Sequence, residues 1–187
     1  MASIQGLQVK SLKSYIGMEG VAYQGNLYLN GKKIGFWSQD GNGAVTDALS
    51  MERGYSESLL RKIIENTNED KAELFHDMKV EYSFELFMED LIVWKLRENE
   101  FKKAVKKGFP MLLEITDGYT AIYYKLPQRY TAMSNKDIEK ALAKEIKGSK
   151  EQIAKNHMDK RDISVLIFRS LENFNIGDPI SLEDIQI

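Results

Sequence analysis

The sequence contains no cysteine, three prolines and two histidines. The first absence removes disulfides, thiolate metal sites and cysteine nucleophiles together. His76 and His157 are the only imidazoles, neither has a partner at ligand spacing, and both read as ordinary surface or capping residues. No Gly-x-Ser-x-Gly elbow occurs to mark a serine nucleophile. No stretch approaches the roughly 20 apolar residues of a membrane span, and the opening segment MASIQGLQVKSLK has no apolar signal-peptide core. These absences point to a cytoplasmic protein with no membrane association, no metal and no cofactor, and they lean away from an enzyme.

What remains is a globular composition. The 187 residues are 43% hydrophobic and 29% charged with a net charge of -2, which suits one ordinary domain over 1–187 and makes no global demand for nucleic acid. Alternating runs from Ile4 to Ser38 predict a three-stranded antiparallel meander, with Asn30-Gly31 supplying the positive φ of a two-residue hairpin turn. Ser56 then caps a helix carrying Leu60, Ile63 and Ile64. A longer helical pattern runs from about Glu69 to Lys107, as one helix or as two joined near Val80. Gly108 and Pro110 stop it and make 108–110 the candidate sub-domain junction.

Beyond that junction, MLLEI and TAIYYKL flank Asp117-Gly118 and predict a second β-hairpin. A helix opens at Ser134 and breaks at Gly148-Ser149, ISVLIF reads as a buried strand, and the acidic tail from Leu171 reads as a loosely packed edge. Strands and helices are grouped rather than alternating, so the expected class is α+β: an N-terminal antiparallel meander, central helices, then a second hairpin followed by helix and strand.

Three constellations carry candidate chemistry. Glu73, Asp77, Glu81, Glu85 and Glu89 recur at four-residue steps; on one helix they form a negative ridge whose neighbours repel by a few tenths of a kcal/mol per pair. Such a ridge is either a solvated helix face or a docking surface for a basic partner. Asp40-Gly41-Asn42-Gly43 begins like a calcium loop, but Ala44 and Met51 stand where the fifth ligand and the bidentate Glu belong. A plain turn, or a ligand loop at Asp40 and Asn42 with glycine amides exposed, remains. Lys125, Arg129 and Tyr130, beside Tyr119, Tyr123 and Tyr124, form a candidate nucleic-acid platform of stacking rings with a basic rim. Core packing explains Tyr123 or Tyr124 equally well, and alternation leaves one of the two exposed.

The segment LKSYIGMEGVAYQGNLYLNGKKIGFWSQDGNGA resembles small hypothetical proteins of phages and mobile elements. The resemblance covers about the first quarter of the chain, transfers no catalytic residue, and implies a phage or prophage setting in a bacterium. In that setting the first reading is a non-enzymatic intracellular protein-binding module that blocks a host defence protein, its acidic helix face meeting a basic partner. The alternatives are a nucleic-acid-binding protein, or a ligand-binding protein or enzyme centred on the Asp40 loop. Homo-oligomerisation is not decided by the sequence.

Overall fold

The structure, a computed structural model, describes residues 1–17, 20–39, 41, 48–67, 73–75, 78–80, 82–118, 120–156 and 162–187, with 73–75 and 78–80 described as backbone only. In chain order the elements are β1 (Ser3–Ile4), β2 (Leu7–Ile16), β3 (Val21–Leu29), β4 (Lys32–Ser38), β5 (Ala48–Met51), α1 (Glu57–Thr67), β6 (Glu73–Phe75), β7 (Met78–Val80) and α2 (Phe84–Lys106). They continue as β8 (Met111–Thr116), β9 (Ala121–Leu126), α3 (Asn135–Ala141), α4 (Ala143–Asn156), β10 (Ser164–Phe168) and β11 (Asn175–Ile176). The fold is α+β. The chain forms two compact units, residues 1–96 with 174–187 and residues 97–173, and the division falls within α2.

The first unit is built on the sheet β11-β1-β2-β3-β4-β5, antiparallel from β1 to β5, with β11 added parallel to β1. Two primed turns sit side by side at one end. Asn30-Gly31 has φ of 48° and 84°, as its residue types predict, and Gln5-Gly6 has φ of 52° and 79°. Gln is a poor marker for that conformation, which is why the second turn is invisible in the sequence. The turns touch: the Asn30 amide donates to the Gly6 carbonyl at 3.1 Å, and a Cβ on Gly6 would lie 2.3 Å from Asn30 Oδ1.

One sheet face is dry. Leu7, Val9, Leu27, Leu29, Ile34 and Trp37 meet Leu60 and Ile64 of α1 and Phe84, Phe87, Met88 and Leu91 of α2. The opposite face reads across strand register in three rows: Lys13, Gln24, Ser38 and Ala48; Lys10, Asn26, Phe36 and Ser50; Gln8, Tyr28 and Lys33. An antiparallel sheet can present such a polar face to water.

The tail is the largest departure from expectation. Instead of a loose edge it closes the core: Phe174 and Ile185 are fully buried, Ile180 nearly so, and Phe174 meets Trp94 edge-on at 6.1 Å. Its backbone is tied down as well. Gln5 N donates to Ile176 O at 2.7 Å, Ile180 N to Gln5 O at 2.9 Å, Asn30 Nδ2 to Ile180 O at 2.7 Å, and Ser56 N to Ile185 O at 2.8 Å. Local charge reads the solvated positions of this tail and misses Phe174, Ile176, Ile180, Leu182 and Ile185, which pack against residues eighty or more positions away in the chain.

The helical pattern expected from about Glu69, as one helix or as two joined near Val80, is also corrected. Residues 73–75 and 78–80 form the paired strands β6 and β7, with Glu73 opposite Val80 and Phe75 opposite Met78, and α2 begins only at Phe84. Over such a short window, apolar residues at Leu74, Phe75 and Met78 satisfy either period. The helix start is marked by Ser83, whose Oγ accepts from Leu86 N and whose carbonyl accepts from Phe87 N.

In the second unit β8 is the central strand of β10-β8-β9, buried along its whole length. Met111, Leu113 and Ile115 pack on one side with Leu126, Tyr130, Ile138 of α3 and Ile153 of α4. The predicted second hairpin is present with a longer loop: Thr116 pairs with Ala121, and Asp117 Oδ1 accepts from Thr120 N at 2.7 Å. The helix break expected at Gly148-Ser149 occurs instead at Leu142 (φ -108°, ψ 20°), and α4 runs through both residues. Ser149 is buried there with its Oγ 2.7 Å from the Tyr124 hydroxyl, a contact that helical geometry is needed to place.

Because Phe174 fills a site with no solvent access, Phe174→Ala should cost about 3–5 kcal/mol. Urea unfolding followed by tryptophan fluorescence measures this directly, since Trp94 is in ring contact; a loss below about 1 kcal/mol would show that the tail is dispensable.

Candidate functional site

Two places concentrate groups that packing alone does not explain. The first is the far tip of the β2–β3 hairpin. Ile16 and Val21 are cross-strand partners and are 89% and 57% exposed, two residues beyond Tyr23, the last inward side chain of β3 that reaches the core. The segment after β4 braces this tip. Gln39 N donates to Tyr23 O at 2.9 Å, Gln39 Oε1 accepts from Tyr23 N at 3.1 Å, and the Tyr15 hydroxyl donates to Gln39 O. Gly41 then crosses Gly17 so closely that a Cβ on Gly17 would stand 2.0 Å from the Gly41 carbonyl oxygen. Glycine is required at Gly17 for that approach.

The second place is a charged centre in the second unit. Glu114 sits mid-strand in β8 with no solvent access, on the side opposite Leu113, and Arg97 Nε donates to its two oxygens at 2.8 and 2.9 Å. Burial pushes the Glu114 carboxyl above its ordinary value, and the attraction and hydrogen bonding of Arg97 offset this only in part. Across the strand pair Tyr123 is half-buried, and its phenol is pushed up to about 12 by burial, with the Glu114 charge adding to it. On α2, buried Glu98 is ion-paired with Lys102 at 2.8 Å. A carboxylate and a phenol of perturbed acidity lying together are groups that a reactive site can use. Glu114 and Arg97 also satisfy one another, which is the signature of a structural pair fixing helix to strand.

The remaining sequence-derived candidates are dispersed. Asp40, Asn42, Asp77, Glu81, Tyr119, His76 and His157 lie outside the described residues. Glu73 belongs to β6, whereas Glu85 and Glu89 belong to α2, so the five acids do not form a stripe along one helix. Glu85 is engaged: Arg61 Nη1 donates to it at 2.5 Å while Arg61 Nε donates to Glu57 at 2.8 Å, joining α1 to α2. Burial pushes the Glu85 carboxyl up, but the Arg61 hydrogen bond, with donors from its own backbone and Ser83, outweighs this and leaves it lowered. Tyr130 is 8% exposed with its ring in the core, stacked under Arg129 at 5.1 Å; Lys125 and Arg129 are exposed. Tyr123 and Tyr124 are both half-buried, because each side of β9 is covered, so neither is the exposed stacking ring that alternation predicted.

Two further residues escape a sequence reading. Arg169 gathers the start of α3, donating from Nη2 to Met133 O at 2.7 Å and Asn135 Oδ1 at 2.8 Å and from Nη1 to Thr131 O at 3.2 Å. Nothing local marks it. Glu114 does leave a mark, as a lone acid inside the apolar run MLLEIT, but its partner lies seventeen residues upstream.

Among the described residues no three His, Asp or Glu side chains are placed to hold a metal ion, and no helix is long and apolar enough to cross a membrane. No protein-family model, curated protein or solved structure matches the chain.

Two outcomes follow from the charged centre. Arg97→Met should destabilise the second unit by about 3–5 kcal/mol by leaving Glu114 buried without its partner, and adding Glu114→Leu should recover most of that loss in chemical denaturation. The raised Glu114 pKa sets the sign of a pH effect: its folded value lies above its unfolded one, so its contribution is complete below the unfolded value of about 4.3 and is lost as pH rises through the folded value. The unfolding free energy of wild type minus that of Glu114→Gln should therefore fall between acid and neutral pH; a difference that rises would show the carboxyl to be lowered.

Proposed function

We propose that this chain is a non-enzymatic protein-binding module that engages its partner through the tip of the β2–β3 hairpin. The observation that carries the reading is the exposed pair Ile16 and Val21. Each aliphatic side chain left in water forgoes about 1.5–3 kcal/mol that burial would provide, and an apolar pocket on a partner supplies that burial. The bracing of the tip by Gln39 and by the Gly17–Gly41 crossing holds its shape before binding, so little ordering entropy is spent on association.

This tip lies inside the segment that resembles phage and mobile-element proteins, so the class of partner this reading favours is a bacterial defence protein, blocked by occupancy. The acidic residues of the first reading are not its contact surface: Glu73 and Glu85 sit on different elements, and Arg61 already occupies Glu85.

The test is the double variant Ile16→Asp with Val21→Asp. Wild-type protein immobilised against bacterial lysate should retain a stoichiometric partner that resists high salt, because apolar contacts are not screened. The variant should bind that partner at least tenfold more weakly in a purified titration while its thermal unfolding stays unchanged. Equal binding by the two proteins would end the proposal.

A further inference from the structure

We propose that the outer face of the first sheet is a platform for single-stranded nucleic acid, with bases stacked on Tyr28 and Phe36 and phosphates held by Lys10, Lys13 and Lys33. The inference uses a different surface from the hairpin tip and does not rest on it. Its first support is charge. The chain has a net charge of -2, yet strands β2 to β5 carry Lys10, Lys13, Lys32 and Lys33 and no acidic residue. Register places Lys10, Lys13 and Lys33 on the outer face, in three adjacent rows. A positive surface within an acidic chain is a local complement to a polyanion.

The second support is the pair of rings. Phe36 is 39% exposed, although its strand neighbour Trp37 is fully buried. It stands opposite Asn26, and Tyr28 lies two residues from Asn26 on the same side of β3, so the rings are diagonal neighbours on adjacent strands. The Lys10 ammonium lies 3.9 Å from the centroid of Tyr28. A base that takes that place stacks on the phenol and releases Lys10 to a phosphate, while Asn26 between the rings has both a donor and an acceptor for a base edge. The Lys33 contact with Glu52, 2.7 Å between exposed groups, is a weak surface pair that a phosphate can replace.

Stacking selects single strands, since paired bases offer no free face to a ring on a sheet. An acidic protein would meet the same lysines without using the rings, which is what separates the two kinds of partner.

The experiment is fluorescence anisotropy of the full chain with short labelled oligothymidylate and oligouridylate across a salt series. Binding at low salt should weaken with a log–log slope of about -2, from three phosphates at about 0.7 each. Tyr28→Ala and Phe36→Ala should each weaken it about tenfold or more with unfolding unchanged. Lys10→Glu with Lys13→Glu, at solvent-facing positions, should flatten the slope and keeps the test sound if a ring variant unfolds. Absence of binding to both oligonucleotides, equal affinity for a duplex or for polyglutamate, or indifference to both ring substitutions would overturn the proposal.

Discussion

Burial of Ile180 and Ile185 in the core beneath the first sheet, with Phe174 buried edge-on against Trp94, is the contact on which the first unit depends. The chain leaves this unit within α2 and returns at Phe174, so its core is completed by a segment separated from the rest of the unit by 97–173. The return is anchored by β11 pairing parallel with β1 and by the stacked turns Gln5-Gly6 and Asn30-Gly31, whose Asn30 side chain holds the Ile180 carbonyl. A primed turn usually only reverses a strand. Here it also supplies a hydrogen-bond donor to the segment that closes the core, so Asn30 serves both the local turn and a contact 150 residues away.

The second unit faces a different constraint. Its central strand is buried throughout and carries a carboxylate in the middle. An isolated charge there would be untenable, and the bifurcated contact from Arg97 Nε is what makes Glu114 tolerable while pinning α2 to β8 in one register. The geometry gives orientation at a cost in solvation, which is why the carboxyl remains raised despite its partner. Arg169 does comparable work at the other end of the unit without a buried charge, because its donors end on carbonyl and amide oxygens.

Function is best sought on what these cores leave exposed. The hairpin tip is apolar and braced, and the outer sheet face is basic and aromatic; both belong to the first unit, and both lie in the meander rather than on the helices. The physical reason is shared. α1 and α2 pack against one side of the sheet, so Ile16 and Val21 at the tip and Phe36 on the opposite face keep solvent access.

How much of this was legible follows the range of each interaction. The meander, the Asn30-Gly31 turn, the Ser56 cap, the end of α2 at Gly108 and the α+β class were all readable, because alternation, turn chemistry and capping act over a few residues. The β6–β7 pair was not, because two periods coincide over a window as short as Leu74 to Met78; nor was the continuity of α4 through Gly148, which depends on Ser149 finding Tyr124. Among candidate sites, the acidic steps of four were real in sequence, but of those described Glu73 lies on a strand while Glu85 and Glu89 share a helix, and Tyr130 turned inward with the core of β8. By itself the sequence determined the local elements and their faces, through sterics and hydrophobic period. Only tertiary packing decided that an acidic tail would close a core, that Glu114 would meet Arg97, and which apolar and aromatic side chains would be left in water, because each depends on contacts between residues far apart in the chain.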